Sequence, residues 1–335
     1  MNILSFLFGS PIRVQRNPRG LTADPDELAR FTDYFEQQIA PLSRKFENQR
    51  VSTLKAARGR IYTGIVLYAG LWLLFLLLHS RGTVLHPLFM LIPLLPIAWW
   101  SYRPIKLYQS QVRQQVFPKI FNYFGDDFLF SRDYHMSLVR LKASKILPEY
   151  DKASFDDYVQ GSYKGIEIAI NEVKLVSHEQ KDKHVETHTQ FQGVMIELSC
   201  LKRFNGHTVV IRSRGSVMNF LSSSHQQLSR VKLEDPLFEK QFDVFSTDQI
   251  EARFLLTVAF MERLQQLAAF FSSQIQCAFY DNKLLIMLES RQNRFELGSI
   301  FKGATFEYEF SQINREMKQL FAIIEVLKLH EYTGL

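Results

Sequence analysis

At 335 residues, with 13% aromatics and 29 Phe, the chain has length and apolar material for two or three packed units, and a charged fraction of 22% excludes wholesale disorder. A net charge of +6, part of it beside greasy segments, is no nucleic-acid footprint, so no nucleic-acid partner is expected. Two cysteines, Cys200 and Cys277, exclude a disulfide framework and fit a reducing compartment.

Met1 to Gly9 is apolar but short, with neither a positive leader nor a small-residue cleavage site, so it reads as a loose start in preference to a signal peptide or a membrane foot. Thr22 to Asp26 has the chemistry of a helix start, with Asp24 as cap and Pro25 in the first turn. Leu28, Phe31, Phe35, Ile39 and Leu42 then recur at three- and four-residue spacing, which predicts an amphipathic helix with a break near Pro41.

Ile61 to Leu78 carries no charge over eighteen residues, roughly 27 Å of helix and close to a bilayer core. Val84 to Trp100 is charge-free as well, and Pro87, Pro93 and Pro96 predict a kinked second span. Tyr62 and then Trp99, Trp100 and Tyr102 form aromatic belts. Only His79 to Thr83 separates the spans, so they must be antiparallel neighbours. Arg44, Lys45, Arg50, Lys55, Arg58 and Arg60 precede the first span, and Arg103, Lys106, Arg113 and Lys119 follow the second. The connecting loop has Arg81 alone, so both chain ends are expected in the cytoplasm. The basic collar of Arg58, Arg60, Arg103 and Lys106 would attract anionic headgroups. Ile105, Tyr108, Val112 and Val116 continue as a juxtamembrane amphipathic helix, packed within the chain or against a second copy.

Beyond Gly125 the texture becomes that of a mixed domain. Strands are expected within Gly161 to Val176, Val194 to Leu201, His207 to Arg212, Ile275 to Tyr280 and Lys283 to Leu288. Arg203 to Gly206 and Asp281-Asn282 supply turns, and His178 to Gln190 reads as an exposed hairpin tip or loop. Long helices are expected over Asp248 to Phe271, capped by Ser246 or Thr247, and over Phe310 to Leu329. The fold class is therefore α+β: a two-helix transmembrane hairpin with flanking amphipathic helices, then a cytoplasmic, mostly antiparallel domain. The boundaries are 1–60 for the amphipathic N-terminal segment, 61–100 for the hairpin, 101–125 for the juxtamembrane helix and 126–335 for the soluble domain.

Leu147 to Lys152, Phe155 to Gly161 with Glu172-Val173, and Val231 to Lys240 continuing through Phe242 to Ser246, Asp248, Glu251 to Arg253 and Met261 to Arg263 resemble one family. It is an uncharacterised bacterial family of two-span membrane proteins carrying a domain of unknown function, often encoded beside LemA proteins. The resemblance covers roughly 105 to 330 and implies a bacterial inner-membrane, multi-pass location; it brings no catalytic residues. Val258 stands where the family pattern has proline, and Phe155-Asp156 where it has Gly-Glu.

Four candidate site acids, Asp156, Asp157, Glu234 and Asp235, lie with Tyr158 in these stretches. Paired carboxylates do acid–base work, hold a cation, or cap helices, and capping leads, with Asp235 before Pro236 well placed to start one. Glu251 with Arg253 and Glu262 with Arg263 read as a solvated or ion-paired helix face. His178, His184 and His188 have ligand-like spacing, but lysines interrupt them and a surface loop is the simpler reading, so no metal and no cofactor are expected. No nucleophile elbow, phosphate loop, dinucleotide pattern or zincin motif occurs, which lowers the case for an enzyme. The leading expectation is a membrane-anchored binding or scaffold module for a protein partner, a second copy or anionic headgroups. A membrane-tethered hydrolase or transferase using the acids is the alternative, and an oligomeric channel ranks last.

Overall fold

The structure, a computed structural model, describes residues 25–79, 91–181, 184–201, 203–212, 228–271, 274–290, 300 and 303–327. Met1 to Gly9, the Asp24 cap, the loop between the apolar segments and Val84 to Met90 of the second one lie outside the described residues. The chain divides into two compact units: Met1–Ile120 with Leu297–Gln312, and Phe121–Glu296 with Ile313–Leu335.

The first unit is built on helices. Helix α1 (Pro25–Tyr34) passes through a π-turn, Phe35–Ile39, into α2 (Ala40–His79). The expected break near Pro41 takes this form. Proline has no N–H for the carbonyl four residues back, and its ring crowds that carbonyl. A widened turn absorbs the mismatch, with Ala40 N–H donating to Phe35 O, so the helix continues. Helix α2 is 40 residues long, about 60 Å. It runs antiparallel to α3 (Leu94–Phe121): Lys45 Nζ donates to Gln115 Oε1 at 2.8 Å, Phe46 packs edge-on to Tyr108 at 6.2 Å, and a Cβ on Gly64 would stand 2.5 Å from an Ile97 methyl. In the first amphipathic stripe Phe31 and Ile39 are buried and Phe35 and Leu42 half-buried, but Leu28 is exposed; in the second, Ile105, Tyr108, Val112 and Val116 are all buried.

Two expectations change here. The described part of the second apolar segment becomes helical only at Leu94, so Pro93 precedes the helix and Pro96 sits in its first turn, where no donor is lost. The prolines inside α3 are instead Pro104 and Pro118. Arg50 also drops out of the cations counted before the first span. It is 1% exposed, holds Glu47 through two hydrogen bonds at 2.7 and 2.8 Å, and donates to Ile300 O at 3.0 Å. Glu47 in turn accepts from Ala304 N–H at 2.9 Å, and Ser43 Oγ donates to Thr305 O at 2.7 Å. A buried ion pair thus fastens residues 300–305 to α2.

The second unit is an α+β domain around one antiparallel sheet. Its nine described strands are β1 (Leu129–Ser131), β2 (Lys152–Tyr163), β3 (Ile166–Lys181), β4 (His184–Ser199), β5 (Thr208–Arg212), β6 (Ser229–Val231), β7 (Phe242–Ser246), β8 (Ile275–Tyr280) and β9 (Lys283–Glu289). They lie in the order β1-β2-β3-β4-β9-β8-β5-β7-β6, and every neighbouring pair is antiparallel. One face carries Leu175, Met195, Val209, Leu285 and Met287 under a segment that includes the short α4 (Leu138–Leu141). On the other face Phe279 meets Phe260 of α7 (Val258–Phe271) at 5.7 Å. The last helix, α8 (Glu307–Leu327), sets Phe321 flat on Tyr163 at 4.1 Å.

The hairpin β8–β9 turns at Asp281 and Asn282, both at positive φ as a two-residue turn demands. The expected exposed hairpin tip from His178 to Gln190 is the outer, exposed end of the β3–β4 ribbon, with pairing continuing to Lys181 and His184. Two other expectations are corrected. Asn205-Gly206 is no hairpin turn, because β9 and β8 lie between β4 and β5; its two backbone N–H groups donate to the carboxylate of Glu251, which is buried and not on a solvated face. The long helix expected from Asp248 is two helices, α6 (Gln249–Leu255) and α7, bent by 65°. Leu256 leaves the helical region and Thr257 Oγ1 accepts from Phe260 N–H at 3.3 Å, starting α7 afresh. Val258, where the family pattern has proline, is the first residue of α7, the position proline favours.

Gly193 tests the sheet's packing. A Cβ there would lie 2.0 Å from Leu288 O, so β4 and β9 approach too closely for any side chain. Gly193→Ala is expected to lower stability by about 3 kcal/mol or more, the upper range of overpacking costs. Gly59→Ala, where a Cβ meets nothing within 4 Å, should raise it by up to ~1 kcal/mol through helix propensity alone. Thermal melts of the two full-length variants check both signs.

Candidate functional site

The two acidic pairs end up seven strand positions apart in one sheet, one on β2 and the other just after β6. They cannot form one centre.

Asp156 and Asp157 sit in a β-bulge. Phe155 pairs with Val173 and Tyr158 with Asn171, so the two aspartates together oppose Glu172 of β3. The extra residue brings the three carboxylates together, with one oxygen of each within 4.8 Å of the others. Asp157 is fully buried and Glu172 nearly so. Arg132, just after β1, donates to Asp156 Oδ1 at 2.8 Å and places Nε 3.6 Å from Asp157 Oδ1. Asn171 fixes the bulge from behind: its Nδ2 donates to Asp157 O at 3.1 Å while its Oδ1 accepts from Met136 N–H at 3.0 Å. A cleft of about 350 Å³ opens here, lined among others by Arg132, Asp156, Glu172, Lys174 and Gln192. Three carboxylates against one guanidinium make a hard-oxygen set with a residual negative charge, suited to a cation or a cationic group. Tyr158 contributes nothing to this cleft; its hydroxyl donates to Gln160 Oε1 at 3.0 Å, and burial pushes its pKa up.

The other pair is spent locally. Asp235 Oδ1 accepts from Leu237 N–H at 2.8 Å and Phe238 N–H at 3.2 Å, capping α5 (Pro236–Glu239). Phe238 inserts into the core, whereas Leu237 stays 65% exposed. Glu234 is exposed. Asp248 caps α6 in the same way, the role expected of Ser246 or Thr247; Thr247 Oγ1 instead accepts from His207 N–H.

Glu197 on β4 escaped the sequence reading. It is buried, accepts from Arg140 Nη2 at 2.9 Å and Tyr280 Oη at 2.9 Å, and has Lys283 Nζ at 3.3 Å. Burial, helped by this carboxylate, pushes the Tyr280 phenol well above its usual range. The signal was a lone acid inside the apolar run Val194 to Leu198. Glu172 and Arg132 escaped as well, because only the register puts them beside the aspartates.

The collar residues lie in the helical unit. Arg60 Nη1 donates to Trp100 O at 3.0 Å with its guanidinium 5.2 Å from the Trp100 ring. That carbonyl is the one Pro104 leaves without a helical donor. Arg103 stands over Trp99 at 5.5 Å and Lys106 over Tyr102 at 5.8 Å, both cations exposed, while Arg58 is half-buried. Above this level α2 is apolar and bare, with only 11% of its most apolar stretch buried.

Residues 189–329 match a family model described as "Protein of unknown function (DUF3137)". That stretch is a domain of unknown function. It runs from within β4 to α8 and excludes all three acids of the bulge, Asp156, Asp157 and Glu172. No curated protein matches the chain. The crystal structure of the mycobacterial trehalose monomycolate transport factor A, TtfA, is similar over 59% of this chain and 88% of its own, at 10% identity and a TM-score of 0.33, too low to carry anything over.

Asp235→Ala should cost about 1 kcal/mol, while Asp235→Asn and Asp235→Ser stay within a few tenths, because either side chain still accepts the backbone bonds. Thermal melts of the three variants check this; an Asn variant as unstable as Ala would show that the charge, not the cap, matters.

Proposed function

We propose that the chain is a membrane-anchored binding module of the bacterial inner membrane. The apolar half of α2 crosses the bilayer, the second apolar segment returns, both chain ends lie in the cytoplasm, and the α+β unit engages a protein partner there. The observation that carries the reading is the bare apolar half of α2, which ends at a ring of cations and aromatics. In water, exposed Leu67, Leu73, Leu74, Leu76 and Leu77 would form an apolar patch far larger than soluble proteins tolerate; in lipid they are matched. The fate of the acids supports binding over catalysis: one pair is divided between a cap and solvent, and Arg132 partly neutralises the other.

A second reading, a membrane-tethered hydrolase or transferase, is favoured by the convergence of Asp156, Asp157 and Glu172. Under the binding reading, millimolar magnesium or calcium leaves the melting temperature of the full-length protein unchanged. An upward shift that disappears in Asp157→Asn would put the second reading first.

Topology fusions test the anchor. Reporters at Arg103 and Leu335 should give a cytoplasmic signal and one at Gly82 the opposite. A cytoplasmic signal at Gly82 would end the two-span reading.

A further inference from the structure

We infer that the chain selects anionic phospholipid headgroups through Arg103 and Lys106. The inference rests on the membrane-anchored reading and names the ligand class and residues for it.

The charge-to-apolar transition falls at the same level on both helices. Arg60 is the last charged residue before the apolar half of α2, and Arg103, three residues past Trp100, is the first charged residue after the charge-free stretch that opens α3. The contact of Arg60 with Trp100 fixes the two transitions side by side, so together they mark the edge of the hydrocarbon. At that edge Trp99 and Tyr102 are 64% and 47% exposed, as rings at headgroup depth must be. Each ring carries, four residues later, a cation over its face, Arg103 on Trp99 and Lys106 on Tyr102. Stacking holds the stems along the rings and the charges outside the apolar zone, at the depth of lipid phosphates. Among the described residues neither cation has a carboxylate within ion-pair distance, so no anion among these residues competes for them. Arg50 and Arg60, by contrast, are committed to Glu47 and to the Trp100 carbonyl. The collar thus divides into cations that hold the fold and two that face lipid.

The test uses full-length protein in mild detergent and native mass spectrometry, with phosphatidylglycerol and phosphatidylcholine of identical acyl chains added in equal amounts. The parent should retain phosphatidylglycerol in preference by about tenfold or more, at roughly fivefold per cation near the surface. Arg103→Gln with Lys106→Gln should abolish the preference. Arg44→Gln with Lys119→Gln removes the same charge roughly 20 Å or more from that level along the helices and should preserve it. Equal retention of the two lipids by the parent, or equal loss in both double variants, would overturn the inference; so would displacement of the lipid by millimolar inorganic phosphate, which would mark a free-phosphate site. Alkaline extraction of native membranes tests the underlying reading separately. Protein that stays in the membrane yet shows no lipid preference sinks this inference alone, while protein released by carbonate sinks the anchor.

Discussion

The described residues leave most of the apolar half of helix α2 uncovered. Its first half is polar enough for water and packs through Phe46, Leu54 and Ala57, while its second half presents leucine on nearly every side. Under the proposed anchoring one uninterrupted helix joins two solvents, and the place where they meet constrains what surrounds it. The proposed bilayer surface lies where Arg60 reaches Trp100, and the polar half of α2 extends roughly 30 Å beyond it. A continuous hydrogen-bonded helix makes that stalk stiff.

Backbone polar groups near a bilayer have few alternative partners, and three of the prolines in these helices show how the lost bond is answered. Pro41 is answered by the π-turn ahead of it, and Pro96 by its place in a first turn. Pro104 is answered from the neighbouring helix, where Arg60 supplies the donor that proline lacks. The collar is thus structural before it is a lipid surface. A positive-inside argument counts Arg50, Arg60, Arg103 and Lys106 alike, although the first two are committed to protein acceptors.

Patterns that depend on local spacing were legible in the sequence: the charge-free helical stretch Ile61 to Leu78, the stripe of α3, the β8–β9 turn and the Asp235 cap. What depended on register was not. Nothing in the spacing of Asp156 and Asp157 says that Glu172 will face them, because a bulge between Phe155 and Tyr158 decides it. The Asn205-Gly206 pair has ideal turn chemistry and still joins strands that are not neighbours, since β9 and β8 enter the sheet between them. Glu251 looked like a surface charge and Glu197 drew no reading, because only tertiary partners, backbone N–H groups in one case and Arg140 with Tyr280 in the other, make their burial tolerable.

The central claim is the level of the hydrocarbon edge, and spin-label accessibility measures it directly. Single labels at Ala56, Gly59, Thr63, Leu67 and Leu74 on α2, and at Trp99, Tyr102 and Leu107 on α3, would be read in reconstituted bilayers against oxygen and a polar nickel reagent, with the buried native Cys200 and Cys277 left in place. The account predicts that accessibility switches from nickel to oxygen between Gly59 and Thr63, and in reverse between Trp99 and Leu107, at equal depth on both helices. Labels at Leu67 and Leu74 that stay accessible to nickel would show that water, not lipid, surrounds this half of α2 and would contradict it.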